Sequence, residues 1–320
     1  MKILVYSYRE DETKYFKKFS EQHQVEVTLC KDAPTLENAD LANGYECISI
    51  ITTKINAELL EKFHKFGVKF ISTRTIGYDH IDINAAKKLG IQVANVAYSP
   101  NSVAEYTMML ILMVIRKMKT IMERSKIQDY SLDGVQGKQL HNSTVGVIGT
   151  GRIGLTVIHY LSGFGCKLIA YDIYRNEKIM QDVEYVTLEK LFANSDIITM
   201  HAPATKENFH LINKDSIALM KDGVCIVNTA RGSLIDTKDL IDAIEQKKIG
   251  GAALDVIEHE SGLYYNDLKC EILDNRELAI LKSFPNVIIT PHTAFYTDQT
   301  VSDMVENSIA SCISFMQGSI

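Results

Sequence analysis

Three side chains of this 320-residue chain are suited to handling a small carboxylic acid, and each follows an apolar, strand-like run. Arg231 stands in Asn228-Thr229-Ala230-Arg231-Gly232, Glu260 closes Asp255-Val256-Ile257-Glu258-His259-Glu260, and His292 stands in Thr290-Pro291-His292-Thr293. A guanidinium grips a carboxylate through paired hydrogen bonds, which a lysine does less well. An imidazole gives and takes a proton near neutrality. A carboxylate bonded to that imidazole would raise its pKa and orient the ring. Reduction of a 2-oxo acid needs such an anchor and such an acid, and also a hydride donor. Position alone leaves other readings open. An Arg after a strand is commonly a surface cation, a His after Pro is commonly a loop residue, and Glu258 and His259 could replace their neighbours in these roles.

The hydride donor is suggested by Gly149-Thr150-Gly151-Arg152-Ile153-Gly154, which follows the apolar run Thr144-Val145-Gly146-Val147-Ile148 and opens a helical pattern. Gly149 permits the tight turn, Gly151 lets backbone approach a pyrophosphate, and Gly154 lets the helix pack close to the strand. The helix N-terminus offers free N–H groups and partial positive charge to phosphates. The next strand ends at Asp172, whose carboxylate can accept from ribose hydroxyls and repel a 2′-phosphate, favouring NAD over NADP; Arg175 nearby could soften that preference. A glycine-rich turn without a ligand is the plain alternative, but it leaves the acid at the strand end unexplained. His201-Ala202-Pro203 follows another strand and reads as lining the cofactor site rather than as a second base. His23, His64, His80, His141, His159 and His210 read as solvated or structural.

The elements that must position these groups alternate. Strands are predicted at 3–7, 25–30, 47–52, 69–75 and 91–96, with helices at 56–66 and 83–89 that stop at Gly67 and Gly90. After Ser99-Pro100-Asn101-Ser102 comes a long apolar helix, 103–125, expected to be largely buried as a core helix or at an interface. A second alternating unit follows, with strands at 144–148, 167–171, 196–201, 224–228, 251–256 and 286–290, a helix at 238–246 and a closing helix at 298–316. Alternating β and α predicts parallel sheets covered on both faces.

Composition is that of an ordinary globular chain, 46% hydrophobic and 23% charged, and its length suggests two domains. The net charge of −6, with no basic stripe, argues against general nucleic-acid binding. The N-terminus lacks a signal peptide pattern, and the longest apolar run, 108–115, is too short to span a bilayer. A cytoplasmic protein away from the membrane is therefore expected. Cys30, Cys47, Cys166, Cys225, Cys270 and Cys312 form no CxxC pair and read as reduced thiols, with no metal site.

At these motifs, together with Ala253-Leu254-Asp255 and Pro291-His292-Thr293-Ala294, the chain resembles the D-isomer-specific 2-hydroxy acid dehydrogenases over nearly its whole length. The resemblance implies two doubly wound parallel-sheet α/β domains. A flavodoxin-like substrate-binding domain would comprise 1–100 plus 296–320, and a Rossmann dinucleotide-binding domain 101–295. It implies Arg231 as substrate anchor, His292 as acid/base and Glu260 as the partner that sets the His292 pKa. Cofactor contacts would fall on Arg152, Ile153, Asp172, Ala202, Pro203, Asn208, Thr229, Ala230, Arg231 and Asp255, beside the three glycines. Substrate contacts would include backbone near Ile76 and Gly77 and the Tyr98 side chain. A homodimer built on the dinucleotide domains and closure over substrate are also implied.

Within the family, Ser72-Thr73-Arg74-Thr75-Ile76-Gly77 and Asn95-Val96-Ala97-Tyr98-Ser99-Pro100-Asn101-Ser102 resemble the D-lactate dehydrogenase subgroup, and most of all its vancomycin-resistance type. Asp172 departs from that type, which has no acid there. Ser261-Gly262-Leu263 after Glu260 departs from the Glu-Pro-Leu pattern of glycerate-type relatives. Tyr98, the 74–78 loop, Phe295 and Tyr296 would make an aromatic-walled pocket, so pyruvate is the expected substrate. An enzyme for larger acids of the 2-hydroxyisocaproate type and a non-catalytic NAD-sensing corepressor are the alternatives.

Overall fold

Alternate residues of the first strand serve two different cores. Ile3 and Val5 pack with Phe16, Phe19, Phe70 and Val305, whereas Leu4 and Tyr6 pack with Ile48, Leu60, Phe63 and Ile71. A strand whose side chains alternate in this way, apolar on both faces, belongs in a sheet covered by helices on both sides. The computed structural model describes residues 1–176 and 183–319 and divides into two compact units, Met1–Ser99 with Tyr296–Ile320, and Pro100–Phe295.

The first unit contains β1 (Lys2–Val5), β2 (Glu26–Leu29), β3 (Cys47–Ile50), β4 (Phe70–Thr73) and β5 (Gln92–Asn95), all parallel, in the order β2-β1-β3-β4-β5. Its helices are α1 (Thr13–His23), α2 (Ala57–Lys65), α3 (Ile83–Lys88) and, from the far end of the chain, α11 (Asp298–Met316). Asn56 and Asp82 cap α2 and α3 by accepting from Leu59 N and Ala85 N. Helix α1 is an addition to the elements expected from the sequence. It buries only Phe16 and Phe19, with Tyr15 partly buried beside them, among lysines and other polar residues, so its pattern is faint.

The second unit contains α4 (Asn101–Ile115), α5 (Met118–Lys126), β6 (Thr144–Ile148), α6 (Arg152–Ser162), β7 (Lys167–Tyr171) and β8 (Glu184–Tyr185). These are followed by α7 (Leu188–Asn194), β9 (Ile197–Met200), α8 (Lys214–Ala218), β10 (Val224–Asn228), α9 (Thr237–Glu245), β11 (Ile249–Leu254), α10 (Arg276–Ser283) and β12 (Val287–Ile289). The sheet is parallel, in the order β12-β11-β10-β9-β6-β7-β8. Strand order reverses at β6, so the crevice at the carboxyl ends of β6 and β9 is the topological switch point where ligands of such sheets bind.

The single long helix expected at 103–125 is a correction. The chain turns at Arg116 and Lys117, whose φ of 53° is left-handed, and restarts as α5. Helix α4 is a core helix: Ala104, Met108, Ile111 and Val114 pack with Val145, Val157 and Ala253. Helix α5 buries none of its residues, so the expectation of burial fails beyond Ile115.

Candidate active site

Strand β10 ends at Asn228, which is fully buried and shapes the turn after it. Its amide nitrogen donates to Arg231 O at 2.8 Å and its amide oxygen accepts from Ala230 N at 3.0 Å. This side-chain turn delivers the half-buried Arg231, whose Nη1 donates to Ala230 O at 2.8 Å. Thr229 is held from below by Thr107, with hydroxyls 2.8 Å apart.

Asp255, just past β11, is also fully buried. It accepts from Thr290 Oγ1 at 2.5 Å, Thr293 N at 3.0 Å and Ala294 N at 2.9 Å, and its carbonyl accepts from His292 N at 2.8 Å. One carboxylate thus fixes the loop after β12 from inside. His292 occupies that loop in a left-handed conformation with φ of 53°. Its Nδ1 lies 2.6 Å from Glu260 Oε1, and Glu260 Oε2 accepts from Ile257 N at 3.2 Å. Tyr265 Oη donates to His292 O at 2.7 Å, and the Tyr265 and Phe295 rings flank the imidazole, each with its centroid 6.3 Å away. Among the described residues nothing hydrogen-bonds to His292 Nε2. Tyr264 has a buried hydroxyl without a partner among the described residues; burial, then the charges of Glu260 and Asp255, pushes its phenol up.

The neighbours that spacing could not exclude are separated by this geometry. Glu258 turns away to His210 and Thr237, and His259 is exposed. Glu260, not Glu258, pairs with His292.

At the end of β6, Gly149 has φ of 92°, and a Cβ there would lie 2.7 Å from the His201 carbonyl. A Cβ on Gly154 would lie 2.0 Å from Gly149 O, whereas one on Gly151 would meet nothing within 4 Å. The first and third glycines are required by packing, and the second leaves open space at the N-terminus of α6, which is where a pyrophosphate fits. Asp172 follows β7. Its Oδ2 accepts from Thr150 N at 2.5 Å and Thr150 Oγ1 at 3.0 Å, and its Oδ1 accepts from Tyr174 N at 2.9 Å. The carboxylate thus braces the glycine loop and still has lone pairs for a ribose.

Beyond β9, Asn208 staples its loop by accepting from Thr205 N at 2.8 Å and donating to Pro203 O at 2.6 Å. Ala202 is half-buried and Pro203 exposed on that loop, and Arg152 and Ile153 open α6 as an exposed and a half-buried residue. His201 shares a 2.9 Å hydrogen bond with Thr199 Oγ1, its Nδ1 is buried without a partner among the described residues, and burial pushes its pKa down to about 3. A ring held neutral in this way is a poor second base. The donor set, the open glycine cradle and the acid after β7 fit a dinucleotide.

In the first unit, Ile76 and Gly77 follow β4 in a loop held by its own carbonyls: Ile76 O accepts from Asn95 Nδ2 and Gly77 O from Thr75 Oγ1, both at 2.6 Å. Tyr98 is half-buried after β5. Under this loop lies a group that sequence reading missed. Arg74 is fully buried against the equally buried Glu12 at 2.9 Å, and it donates also to Ser49 Oγ and to the carbonyls of Tyr6 and Ser7. An arginine directly after the strand Phe70–Thr73 was the available signal.

Comparison with known proteins identifies the family. Residues 108–294, more than half of the chain and all within the second unit, match the family model described as D-isomer specific 2-hydroxyacid dehydrogenase, NAD binding domain. The chain therefore belongs to the D-isomer-specific 2-hydroxyacid dehydrogenases and is an NAD-dependent oxidoreductase. It is 50% identical over 318 residues to an aromatic 2-oxoacid reductase of Clostridium sporogenes, covering 98% of this chain and 96% of that one. It is 46% identical over 314 residues to a D-specific alpha-keto acid dehydrogenase of Enterococcus faecium, covering 98% and 96%. The solved structure of a D-2-hydroxyisocaproate dehydrogenase superposes with a TM-score of 0.90 at 36% identity, covering 100% of this chain and 98% of that one. The relatives it matches are named as dehydrogenases and reductases, which supports the enzyme over the corepressor alternative. Among the described residues no helix is long and apolar enough to cross a membrane.

Proposed function

We propose that the chain reduces a 2-oxo acid to the D-2-hydroxy acid, with Arg231 anchoring the carboxylate and His292 donating the proton. The observation that carries this reading is the His292 ring, with Nδ1 bonded to Glu260 and Nε2 left without a partner among the described residues. NADH, when bound, supplies hydride to the carbonyl carbon. As that carbon takes the hydride, the C=O π pair moves to oxygen, and the Nε2 proton of His292 closes the hydroxyl. Glu260 accepts from Nδ1 and stabilises the charged ring before the transfer, and it fixes which nitrogen faces the substrate. Arg231 holds the acid's carboxylate through two hydrogen bonds, so the carbonyl is presented in one orientation. Gly149, Gly151, Gly154, Arg152, Ile153, Asp172, Ala202, Pro203, Asn208, Thr229, Ala230 and Asp255 are the proposed cofactor contacts. Ile76, Gly77 and Tyr98 are the proposed substrate contacts of the first unit.

Sequence reading puts pyruvate first among substrates. The relative named for aromatic 2-oxo acids favours a second reading in which a larger side chain is accepted. One panel decides between them: NADH with pyruvate, 2-oxoisocaproate or phenylpyruvate, kcat/KM read from nicotinamide absorbance, and each product analysed for handedness. Turnover of none of the three, or an L product, overturns the proposal.

A cytoplasmic homodimer is the proposed setting. Its support is the set of free cysteines, as expected of a reducing compartment, and the run beyond α5, where Ile127, Tyr130 and Leu132 are 77%, 77% and 86% exposed. A monomer by light scattering at micromolar concentration would remove the dimer from the proposal.

A further inference from the structure

We infer that His210 is a positioning residue for this reaction: its imidazole, held between the carboxylates of Glu258 and Asp236, ties the loop carrying Glu260 to the loop carrying Arg231. The inference rests on the roles proposed above for those two residues.

His210 lies in the loop after β9, outside the glycine motif, in a left-handed conformation with φ of 52°. Its ring stacks on Phe209 with centroids 3.8 Å apart. Nε2 lies 2.6 Å from Glu258 Oε1 and Nδ1 lies 3.1 Å from Asp236 Oδ2. Both ring nitrogens face carboxylate oxygens: Nε2 shares a hydrogen bond with Glu258, and Nδ1 lies within ion-pair distance of Asp236. Neither nitrogen remains for proton transfer, so the ring holds rather than reacts.

Both carboxylates are anchored at their other oxygen. Glu258 Oε2 accepts from Thr237 N at 3.0 Å and Thr237 Oγ1 at 2.8 Å. Asp236 Oδ1 accepts from Asp239 N at 3.0 Å as the cap of α9. The backbone adds to the clamp: His210 N donates to Ser233 O, Ile212 N to Leu234 O, and Asp236 N to Ile212 O, at 2.9, 2.9 and 2.8 Å. Ser233 is two residues past Arg231, and Glu258 is two residues before Glu260. The two loops touch directly at Gly232, where a Cβ would lie 2.6 Å from Glu258 N. Glu258 and His210 are sheltered, with side chains 13% and 26% exposed. Charged groups placed in such shelter add little to stability, and their better-attested use is to specify one arrangement. Here the arrangement specified is the spacing of the anchor and the proton donor's partner.

The test uses the full-length enzyme with NADH and whichever acid of the panel turns over best. His210→Asn removes the two-sided bridge, and Glu258→Gln removes one charge while keeping an amide oxygen for Thr237. Four quantities are read: kcat/KM for the 2-oxo acid, NADH affinity by fluorescence, the primary isotope effect with deuterated NADH, and the melting temperature. The expected result for His210→Asn is a fall of about a hundredfold in kcat/KM, the size that roughly 1 Å of misplacement brings. A raised isotope effect should accompany it, with NADH affinity reduced far less than kcat/KM, and a smaller change in the same sense for Glu258→Gln. Wild-type kcat/KM in both variants overturns the inference. A loss of NADH affinity equal to the loss of kcat/KM also overturns it, because that pattern is general loosening of the unit. Where His210→Asn does not fold, Glu258→Gln decides on the same two numbers. Failure of the underlying reading shows separately, as an unmodified enzyme that turns over none of the acids.

Discussion

Gly232→Ala tests whether the spacing of the Arg231 and Glu260 loops sets the rate. The added methyl would sit 2.1 Å from the carbonyl carbon and oxygen of Ile257 and 2.6 Å from Glu258 N. All three are backbone atoms, so no flexible side chain can swing aside. Ordinary contact begins near 3.4 Å, so the backbones must part by roughly 1 Å, a displacement that costs about a hundredfold in rate. That corresponds to about 2.7 kcal/mol of barrier. Forcing a methyl into a packed site costs about 1–3 kcal/mol of stability, against a total of about 5–15 kcal/mol for a typical domain. The variant should therefore fold, with a lowered melting temperature. Stopped-flow absorbance with saturating NADH gives the hydride step directly, and fluorescence titration gives NADH affinity. The expected outcome is a hydride step slowed about a hundredfold at saturating NADH, with a far smaller change in NADH affinity, since the glycine loop at 149–154 is untouched although the 229–231 loop shifts. A hydride step within about threefold of the unmodified enzyme, in a protein whose melting temperature has fallen, would refute the reasoning: the methyl would have been accommodated without moving either side chain.

Three further outcomes follow from the site. Glu260→Gln should lower kcat for 2-oxo acid reduction by about 10²–10³, the lower part of the roughly 10²–10⁴ that positioned acid–base catalysis contributes, and leave NADH binding within about twofold; unchanged kcat uncouples the carboxylate from His292. Asp172→Ser should narrow the preference for NADH over NADPH by about tenfold, equivalent to about 1.4 kcal/mol, and should also loosen the loop at Thr150; an unchanged ratio of kcat/KM values removes Asp172 from cofactor selection. His201 is held neutral by burial down to about pH 3, against 6.5 for the free ring, so the unfolded chain takes up a proton that the folded one refuses. Its contribution to stability is therefore full above pH 6.5 and declines as pH falls toward 3, by at most about 1.4 kcal/mol per pH unit. His201→Gln should flatten urea-derived stability against pH in that window, and an undiminished slope sinks the assignment.

What sequence could and could not show divides along physical lines. The glycine loop and Asp172 were legible because their chemistry is local: Asp172 meets Thr150 across neighbouring strands of one βαβ unit. Residue type and spacing could not choose between Glu258 and Glu260; only the family resemblance did. These residues are two apart, and their fates are decided by partners 48 and 32 positions away, His210 and His292. The break after α4 was hidden because the chain turns on Arg116 and Lys117 without a Gly or Pro to announce it. The buried Arg74–Glu12 pair joins residues 62 apart, and no periodicity reports a contact of that kind. The role of Asp255 in holding the His292 loop was likewise unreadable, since its three acceptor contacts come from 35 to 39 residues downstream.

The left-handed backbone at His292, with φ of 53°, bears on how an inactive form for trapping bound substrate should be built. Asn and Asp tolerate that region several-fold better than most side chains, whereas a β-branched residue there is a genuine outlier. A single residue forced into it costs about 1–3 kcal/mol. His292→Asn therefore removes the proton donor and keeps the loop on Asp255, giving a silent copy of the site. His292→Val would remove the same proton and pull Thr293 and Ala294 off their carboxylate, so its inactivity would report a collapsed loop rather than a missing acid.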